Sequence, residues 1–270
     1  MSDCTHDCST CGEKCSERKI EKEKPESHSH IKKIYAIVSG KGGVGKSMVT
    51  SLLATMMSRQ NKNVAILDAD ITGPSIPTSF GIQGQTYGCE YGILPIETNS
   101  GIKIISMNMF LESHSDPVVW RGSLISNTVL QFFKEVYWGD VDYMFIDMPP
   151  GTGDVPLTVF QSLPIDGIIV VTSPQELVSM IVDKAVNMAK MMNIPIVGIV
   201  ENMSYFECPN CKEKHYIYGQ SHVDDIAKDN KIPNVSKLPI NSDLAKACDD
   251  GEIENIDVNY LDNLVKSLIK

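Results

Sequence analysis

The sequence predicts one α/β domain, a mainly parallel sheet with helices on both faces, preceded by a cysteine-rich tail. Three observations carry this expectation. Short apolar, β-branched runs recur along the chain and alternate with segments of helical composition, as strands joined by crossover helices do. Two of the runs, Val64-Ala65-Ile66-Leu67 and Tyr143-Met144-Phe145-Ile146, read as buried strands that end in Asp68 and Asp147. The first strand–helix unit, from Ile34 to Arg59, is joined by the glycine-rich turn Gly40 to Gly45.

Size and charge narrow the classes. With 270 residues, 42% of them hydrophobic and 21% charged, the chain can bury a substantial core as one domain plus appendages. A net charge of −10 argues against general nucleic-acid or anionic-membrane binding, because both need excess Lys and Arg at the surface. No apolar run approaches the roughly 20 residues that span a bilayer. Met1 to Lys19 carries cysteines and charges where a signal peptide would be apolar, so the expected location is cytoplasmic. In that reducing compartment eight cysteines read as metal ligands or buried thiols rather than disulfides.

Residues 1–33 form the tail. Cys4, Cys8, Cys11 and Cys15 come first, followed by Ser16 to Lys33, a Lys/Glu/Ser/His segment with almost nothing to bury and the composition of a mobile linker. Four thiols within twelve residues supply a full tetrahedral set, and the tight spacing favours a [4Fe–4S] cluster. A small zinc site and an unmetallated redox-active tail are the alternatives, and His6 could replace one of the thiols.

Residues 34–270 form the domain. Gly40-Lys41-Gly42-Gly43-Val44-Gly45-Lys46-Ser47 follows the strand Ile34 to Val38 and precedes a helix whose Leu52, Leu53, Met56 and Met57 share a face. Two glycines four residues apart, then Lys and Ser, make a phosphate-cradling loop whose inward backbone N–H groups no Cβ obstructs. Lys46 would reach the β- and γ-phosphate oxygens of a nucleotide and the Ser47 hydroxyl would ligate Mg²⁺.

The strand Val64 to Leu67 delivers Asp68-Ala69-Asp70 to its carboxyl end, where ligands bind in open α/β sheets. Alternation puts Asp68 and Asp70 on one side of the chain, so one can assist Mg²⁺ while the other orients attacking water; turn chemistry is the alternative reading. Gly81 to Asn99 reads as a surface excursion with a hairpin, Ile102 to Ser106 as a strand, and Ser123 to Val136 as an amphipathic helix after Trp120. The strand ending at Asp147 places a carboxylate opposite Ser47 in the Mg²⁺ shell. The loop Met148-Pro149-Pro150-Gly151-Thr152-Gly153-Asp154 after it offers N–H groups that would register a γ-phosphate and shift on hydrolysis.

Strands follow at Gly167 to Thr172 and Ile196 to Val200, separated by a helix from Glu176 to Met192 whose Met180, Met188, Met191 and Met192 read as core filler. Cys208-Pro209-Asn210-Cys211 is a metal knuckle with half the ligands a closed site needs. Two copies of the chain about a two-fold axis would bring four thiols together, which suits a bridging [4Fe–4S] cluster. The alternatives are intrachain zinc with His215, Cys89 or Cys248, and an unmetallated redox pair. Cys89 and Cys248 otherwise read as buried structural thiols. The C-terminal Leu261, Leu264, Val265, Leu268 and Ile269 mark a helix that docks on the domain rather than a membrane anchor.

These motifs together resemble a known family. Lys41 to Ser47 looks like the deviant Walker A motif of the MinD/ParA/nitrogenase-reductase group of P-loop ATPases. Asp68 to Ser75, Asp147 to Asp154 and the Cys-Pro-x-Cys after Asn202-Met203-Ser204 resemble its Mrp/Nbp branch, the iron–sulfur cluster carrier ATPases, over residues 34 to about 250. The resemblance implies a P-loop NTPase that works as a homodimer, holds a [4Fe–4S] cluster between paired Cys208 and Cys211, passes it to apoproteins and hydrolyses ATP slowly with Mg²⁺. It implies that Lys41 crosses the dimer to the partner's nucleotide, Asp70 orients water, Asp147 holds Mg²⁺ through water, Asn202 contacts adenine, and Gly40 to Met48 wrap the phosphates. Rival readings within the group are a positioning or partition ATPase, which has no use for the cysteine pair, and a reductase-like electron donor, whose cluster cysteines lie in separate segments.

Overall fold

The computed structural model describes residues 22–71, 73, 75–110, 122–151, 153–174 and 178–270. Cys4, Cys8, Cys11 and Cys15, Trp120, Thr152 and the start of the 176–192 helix lie outside the described residues.

In chain order the first half is β1 (His30–Ser39), α1 (Lys46–Ser58), β2 (Val64–Asp68), α2 (Ile76–Ser79), the hairpin β3 (Gly88–Cys89) and β4 (Gly92–Ile93), β5 (Ile96–Glu97), β6 (Lys103–Ile105) and α3 (Gly122–Glu135). The second half is β7 (Asp140–Asp147), α4 (Asp154–Ser162), β8 (Gly167–Thr172), α5 (Val178–Met192), β9 (Ile196–Glu207), β10 (Lys214–His215), α6 (Val223–Asp229), β11 (Val235–Pro239), α7 (Ser242–Asp249) and α8 (Asp262–Ile269).

The sheet runs β10-β9-β8-β1-β7-β2-β6-β5, with β11 also on β9. Its central pairs are all parallel, and only β5 and β10 join antiparallel. Strands covered on both faces must be apolar throughout, and Ala36, Ile37, Ala65, Ile66, Leu67, Met144, Phe145 and Ile146 are fully enclosed. The register sets Asp147 beside Asp68 on β2 and beside Ile37 on β1, so the carboxyl ends of the three strands converge. The functional loops leave from that edge.

Several expectations change. β1 begins at His30 rather than at 34, and the chain before it does not behave as a free linker from residue 22 onward. The buried Ser29 hydroxyl accepts from the backbone N–H groups of Trp138 (2.8 Å) and Gly139 (3.3 Å). Lys22 Nζ donates to the Phe160 and Gln161 carbonyls at the end of α4, at 2.7 and 3.0 Å, and Glu23 pairs with Lys134 of α3 at 3.1 Å. The segment has little apolar surface to bury, but its polar groups satisfy backbone donors and acceptors that element ends leave open. Cys89 is exposed rather than buried, because its two-residue strand belongs to a separate hairpin off the main sheet. Met191 is 80% exposed and fills no core, whereas Met188 is buried. β9 continues seven residues beyond Val200.

The structure adds α6, β11 and α7 to the expected elements. α7 carries a local signal in Asn241, its N-cap, whose side chain accepts from the Asp243 and Leu244 N–H groups. α8 docks as expected, with Leu264, Val265 and Leu268 buried. Among the described residues no helix is long and apolar enough to cross a membrane.

Ser29→Ala leaves two backbone N–H groups without their acceptor, and should lower the free energy of urea unfolding by about 1–3 kcal/mol. An unchanged midpoint and slope would show that the segment before β1 carries no load.

Candidate functional site

The loop from Gly40 to Gly45 joins the end of β1 to the start of α1. Gly43 and Gly45 have φ of 78° and 83°, left-handed backbone that turns successive N–H groups toward one side. A Cβ added to Gly42 or Gly43 would meet nothing within 4 Å, because both face open space. That space is a cavity of about 410 Å³ bounded by residues 41–48 on one side, by Asp70, Gly73 and Ser75 beyond the end of β2, and by Thr78, Ser79, Cys248 and Asp249 opposite. The N-terminus of α1 opens into it, which with the loop's N–H groups suits a polyanion such as a nucleotide's phosphates.

Asp147 lies beneath the loop and is fully enclosed. Its Oδ2 accepts from Lys46 Nζ at 2.7 Å and from the Ser47 hydroxyl at 2.6 Å, while its Oδ1 accepts from the Thr50 hydroxyl at 2.6 Å. Lys46 is itself 6% exposed, with Asp70 Oδ2 at 3.7 Å. Burying an ammonium and a carboxylate is costly unless the pair is close and the remaining valences are met; here both conditions hold. One carboxylate thereby sets the rotamers of three side chains on the loop and first turn of α1.

Asp68 is enclosed as well. Its Oδ2 accepts from the Ser106 hydroxyl at 3.0 Å and its Oδ1 from the Asp70 N–H at 3.1 Å. Burial above all, and then the neighbouring Asp147 charge, push its carboxyl up to about 8. Both of its oxygens are engaged within the protein, so it orients Asp70 while Asp70 faces the cavity. Thr50 and Ser106 were not read from the sequence; Thr50 is one helical turn beyond Lys46, and Ser106 follows β6, so only the packed sheet identifies either.

Asn202, on β9, reaches the loop from the side. Its Nδ2 donates to the Val44 carbonyl at 3.0 Å and its Oδ1 accepts from the Met203 N–H at 2.9 Å. A Cβ on Gly45 would collide with that amide, so the glycine is required both by its φ and by the close approach of Asn202. The structure therefore gathers the 41–47 loop, Asp68, Asp70, Asp147 and Asn202 in one place. Cys248 joins them at the cavity wall. Nothing in residue spacing links it to the loop, and α7 brings it there.

Beyond Asn202 the same strand runs to Glu207 and leads into the turn Cys208-Pro209-Asn210-Cys211, which begins up to about 20 Å further on at the usual rise per residue. The turn is closed by Cys208 N–H to the Glu213 carbonyl and Lys212 N–H to the Cys208 carbonyl, each 2.9 Å. β10 then returns antiparallel to Phe206 and Glu207. The Cys211 and Asn210 N–H groups point at the Cys208 sulfur and lower its thiol below the ordinary range, which favours the thiolate that binds metal. Cys211 is exposed. Among the described residues no third Cys, His, Asp or Glu stands with this pair in a metal-binding group.

Comparison with known proteins agrees with this geometry. The family model for the ParA-type NUBPL iron-transfer P-loop NTPases matches residues 30–268. Proteins named iron-sulfur cluster carrier protein from Clostridium perfringens and Methanocaldococcus jannaschii are each 43% identical, over 84% and 93% of this chain and 83% and 90% of theirs. A solved nucleotide-binding protein in complex with ADP from Archaeoglobus fulgidus superposes with a TM-score of 0.78 at 43% identity, covering 86% of this chain and 91% of that one. The cell division protein MinD from Aquifex aeolicus superposes at 0.62 with 19% identity, covering 88% of this chain and 96% of its own, a likeness of fold alone. With a buried Lys46–Asp147 pair under a glycine loop, and a family match that spans nearly every described residue, this chain belongs to the NUBPL iron-transfer P-loop NTPases.

Proposed function

We propose that this protein is an ATP-dependent iron–sulfur cluster carrier: two copies hold a [4Fe–4S] cluster between Cys208 and Cys211 of each chain and deliver it to apoproteins. The observation that carries this reading is β9, one strand that packs against the phosphate loop through Asn202 and leads directly into the Cys208–Cys211 turn. Two thiols are half of the set that a [4Fe–4S] cluster takes, and a two-fold dimer supplies the rest. The relatives' name, iron-sulfur cluster carrier protein, supports the cargo.

The Ser47 hydroxyl and the Asp147 carboxylate, hydrogen-bonded at 2.6 Å, are hard oxygen donors that would hold Mg²⁺, Asp147 through water. Mg²⁺ would supply positive charge against the β- and γ-phosphate oxygens. The rest falls to the chain. Residues 42–47 cradle the phosphates with backbone N–H groups, and Met48 closes the turn behind them. Lys46 moves its donor from Asp147 toward the γ-phosphate. Asp70, held by its N–H on Asp68, orients the attacking water. Lys41, at the cavity rim, extends across the two-fold to the partner's phosphates and offsets the charge that develops in the transition state. Asn202 positions the loop and flanks the adenine. Hydrolysis is slow, serves loading or release of the cargo, and takes place in the cytoplasm. Cys4, Cys8, Cys11 and Cys15 hold a second iron–sulfur cluster.

Iron and sulfide analysis of the anaerobically reconstituted protein should show the bridging cluster, and Cys208→Ala should lose it while the chain still binds nucleotide. Retention of the full iron content by a variant lacking both Cys208 and the four tail cysteines would overturn the cargo site. Lys41→Ala should lower kcat by about 10³-fold, the scale of a charge supplied across an interface, with nucleotide affinity nearly unchanged. Equal loss of binding and turnover would place Lys41 in its own chain's site instead. In the metal-free chain, iodoacetamide mapping at neutral pH should find Cys208 alkylated before Cys248, whose thiol burial pushes up. Nucleotide should protect Cys248, since it lines the same cavity as the phosphate loop.

A further inference from the structure

β9 is not a regular strand between its two functional ends. Glu201 pairs with Lys237 of β11 and Tyr205 pairs with Pro239, so three residues of β9 lie opposite one of β11. The two extra residues form a bulge that starts at Asn202. Met203 inside it has φ of 57°, left-handed backbone that a long unbranched side chain without a local hydrogen-bonding group disfavours. Backbone held in this way persists only where its surroundings over-determine it, and such positions gather at switching segments.

The bulge is closed by one side-chain pair. Ser204 Oγ donates to Glu201 Oε2 at 2.6 Å, and both residues are 1% exposed. The other carboxylate oxygen, Glu201 Oε1, is buried with no hydrogen-bond partner among the described residues. A buried carboxylate with one oxygen unmet is a half-satisfied group, which holds its segment in place less firmly than a full network would. On the near side of this closure is Asn202 with its bond to the Val44 carbonyl, and on the far side the chain runs through Tyr205 to Cys208.

We propose that the Glu201–Ser204 pair is a positioning element that couples the nucleotide site to the cysteine pair. A nucleotide settling into the 42–47 loop acts on Val44 and Gly45, the two residues against which Asn202 is wedged. The displacement passes into the bulge. A slip of two residues keeps every side chain on its own face, so the bulge can lengthen or shorten β9 toward Cys208 without turning its core side chains outward. Ser204 and Glu201 set which arrangement is populated, and the geometry of Cys208 and Cys211 follows. This proposal deepens the carrier reading and rests on it to the extent that both sites belong to one cycle.

The test uses the full chain freed of metal, with the magnesium complex of a non-hydrolysable ATP analogue as the probe. Alkylation of Cys208 is followed by peptide mapping, Cys248 reports occupancy of the cavity, and the exposed Cys89 is the control. In the unaltered chain the analogue should change the Cys208 rate by about fivefold or more, the low end of usual site-to-site coupling, with Cys89 unaffected. Ser204→Ala should bring that change below about twofold while Cys248 remains protected at similar analogue concentration, and Ser204→Thr, which restores the hydroxyl, should recover it. Glu201→Gln exchanges a charge-assisted bond for a weaker neutral one and should give an intermediate value; it replaces Ser204→Ala as the deciding variant if the latter does not fold. Absence of any analogue effect on Cys208 in the unaltered chain overturns the proposal, as does undiminished coupling in the deciding variant. Neither result touches the carrier reading, which stands or falls on cluster content in Cys208→Ala.

Discussion

The carboxylate of Asp147 holds the site together. It sits at the enclosed carboxyl end of β7 and accepts hydrogen bonds from Lys46, Ser47 and Thr50, so the loop and the first turn of α1 are fastened to the sheet through one side chain. A charge in that position would be costly alone, and the ammonium of Lys46 would be too. Each is tolerated because the other is 2.7 Å away and the remaining lone pairs have hydroxyl donors. The arrangement is also the one that a phosphate needs. Lys46 is thereby held at the cavity, where an anion would compete with Asp147 for its ammonium.

Around this pair the parallel sheet does the placing. β1, β2 and β7 end together because their register aligns Ile37, Asp68 and Asp147. A one-residue slip would turn Asp147 to the other face, and with both faces packed by helices no such slip is available. Asp68 lies one strand over, with its charge suppressed by burial, and holds the backbone of Asp70 at the cavity mouth. On the opposite side of β1, β9 brings the Asn202 amide close against Gly45, where the left-handed φ already disfavours any side chain. Nucleotide loop and cysteine knuckle are therefore separated by a few residues of one strand, and the irregular stretch between them is the shortest covalent path from phosphate to thiol.

Much of the fold was legible before any coordinates. Buried parallel strands are apolar from end to end, and the runs at 64–67, 143–146 and 167–172 stand out because an exposed strand would alternate. β11, by contrast, has Ser, Lys and Pro among its five residues and owes its pairing to β9 rather than to its own pattern. The segment from residue 22 to 29 has the composition of a linker but not its behaviour, for a related reason: composition measures what a segment can bury, while its anchoring depends on polar groups finding unmet backbone partners elsewhere in the chain. Cys89 and Met191 were assigned to the interior from residue type, and the surface position of their elements decided otherwise.

By itself the sequence determined which groups are present: a glycine loop followed by Lys and Ser, carboxylates at strand ends, and paired cysteines at ligand spacing, because those patterns are local. The tertiary structure alone decided which of these groups meet. Lys46 and Asp147 are 101 residues apart, Asn202 and Val44 are 158 apart, and neither contact has a trace in local periodicity. Cys248 at the nucleotide cavity and the Glu201–Ser204 closure are of the same kind, since they follow from how β9, β11 and α7 pack on the sheet. Long-range packing sets distances, and distance decides whether a carboxylate is a ligand, a counter-ion or a brace.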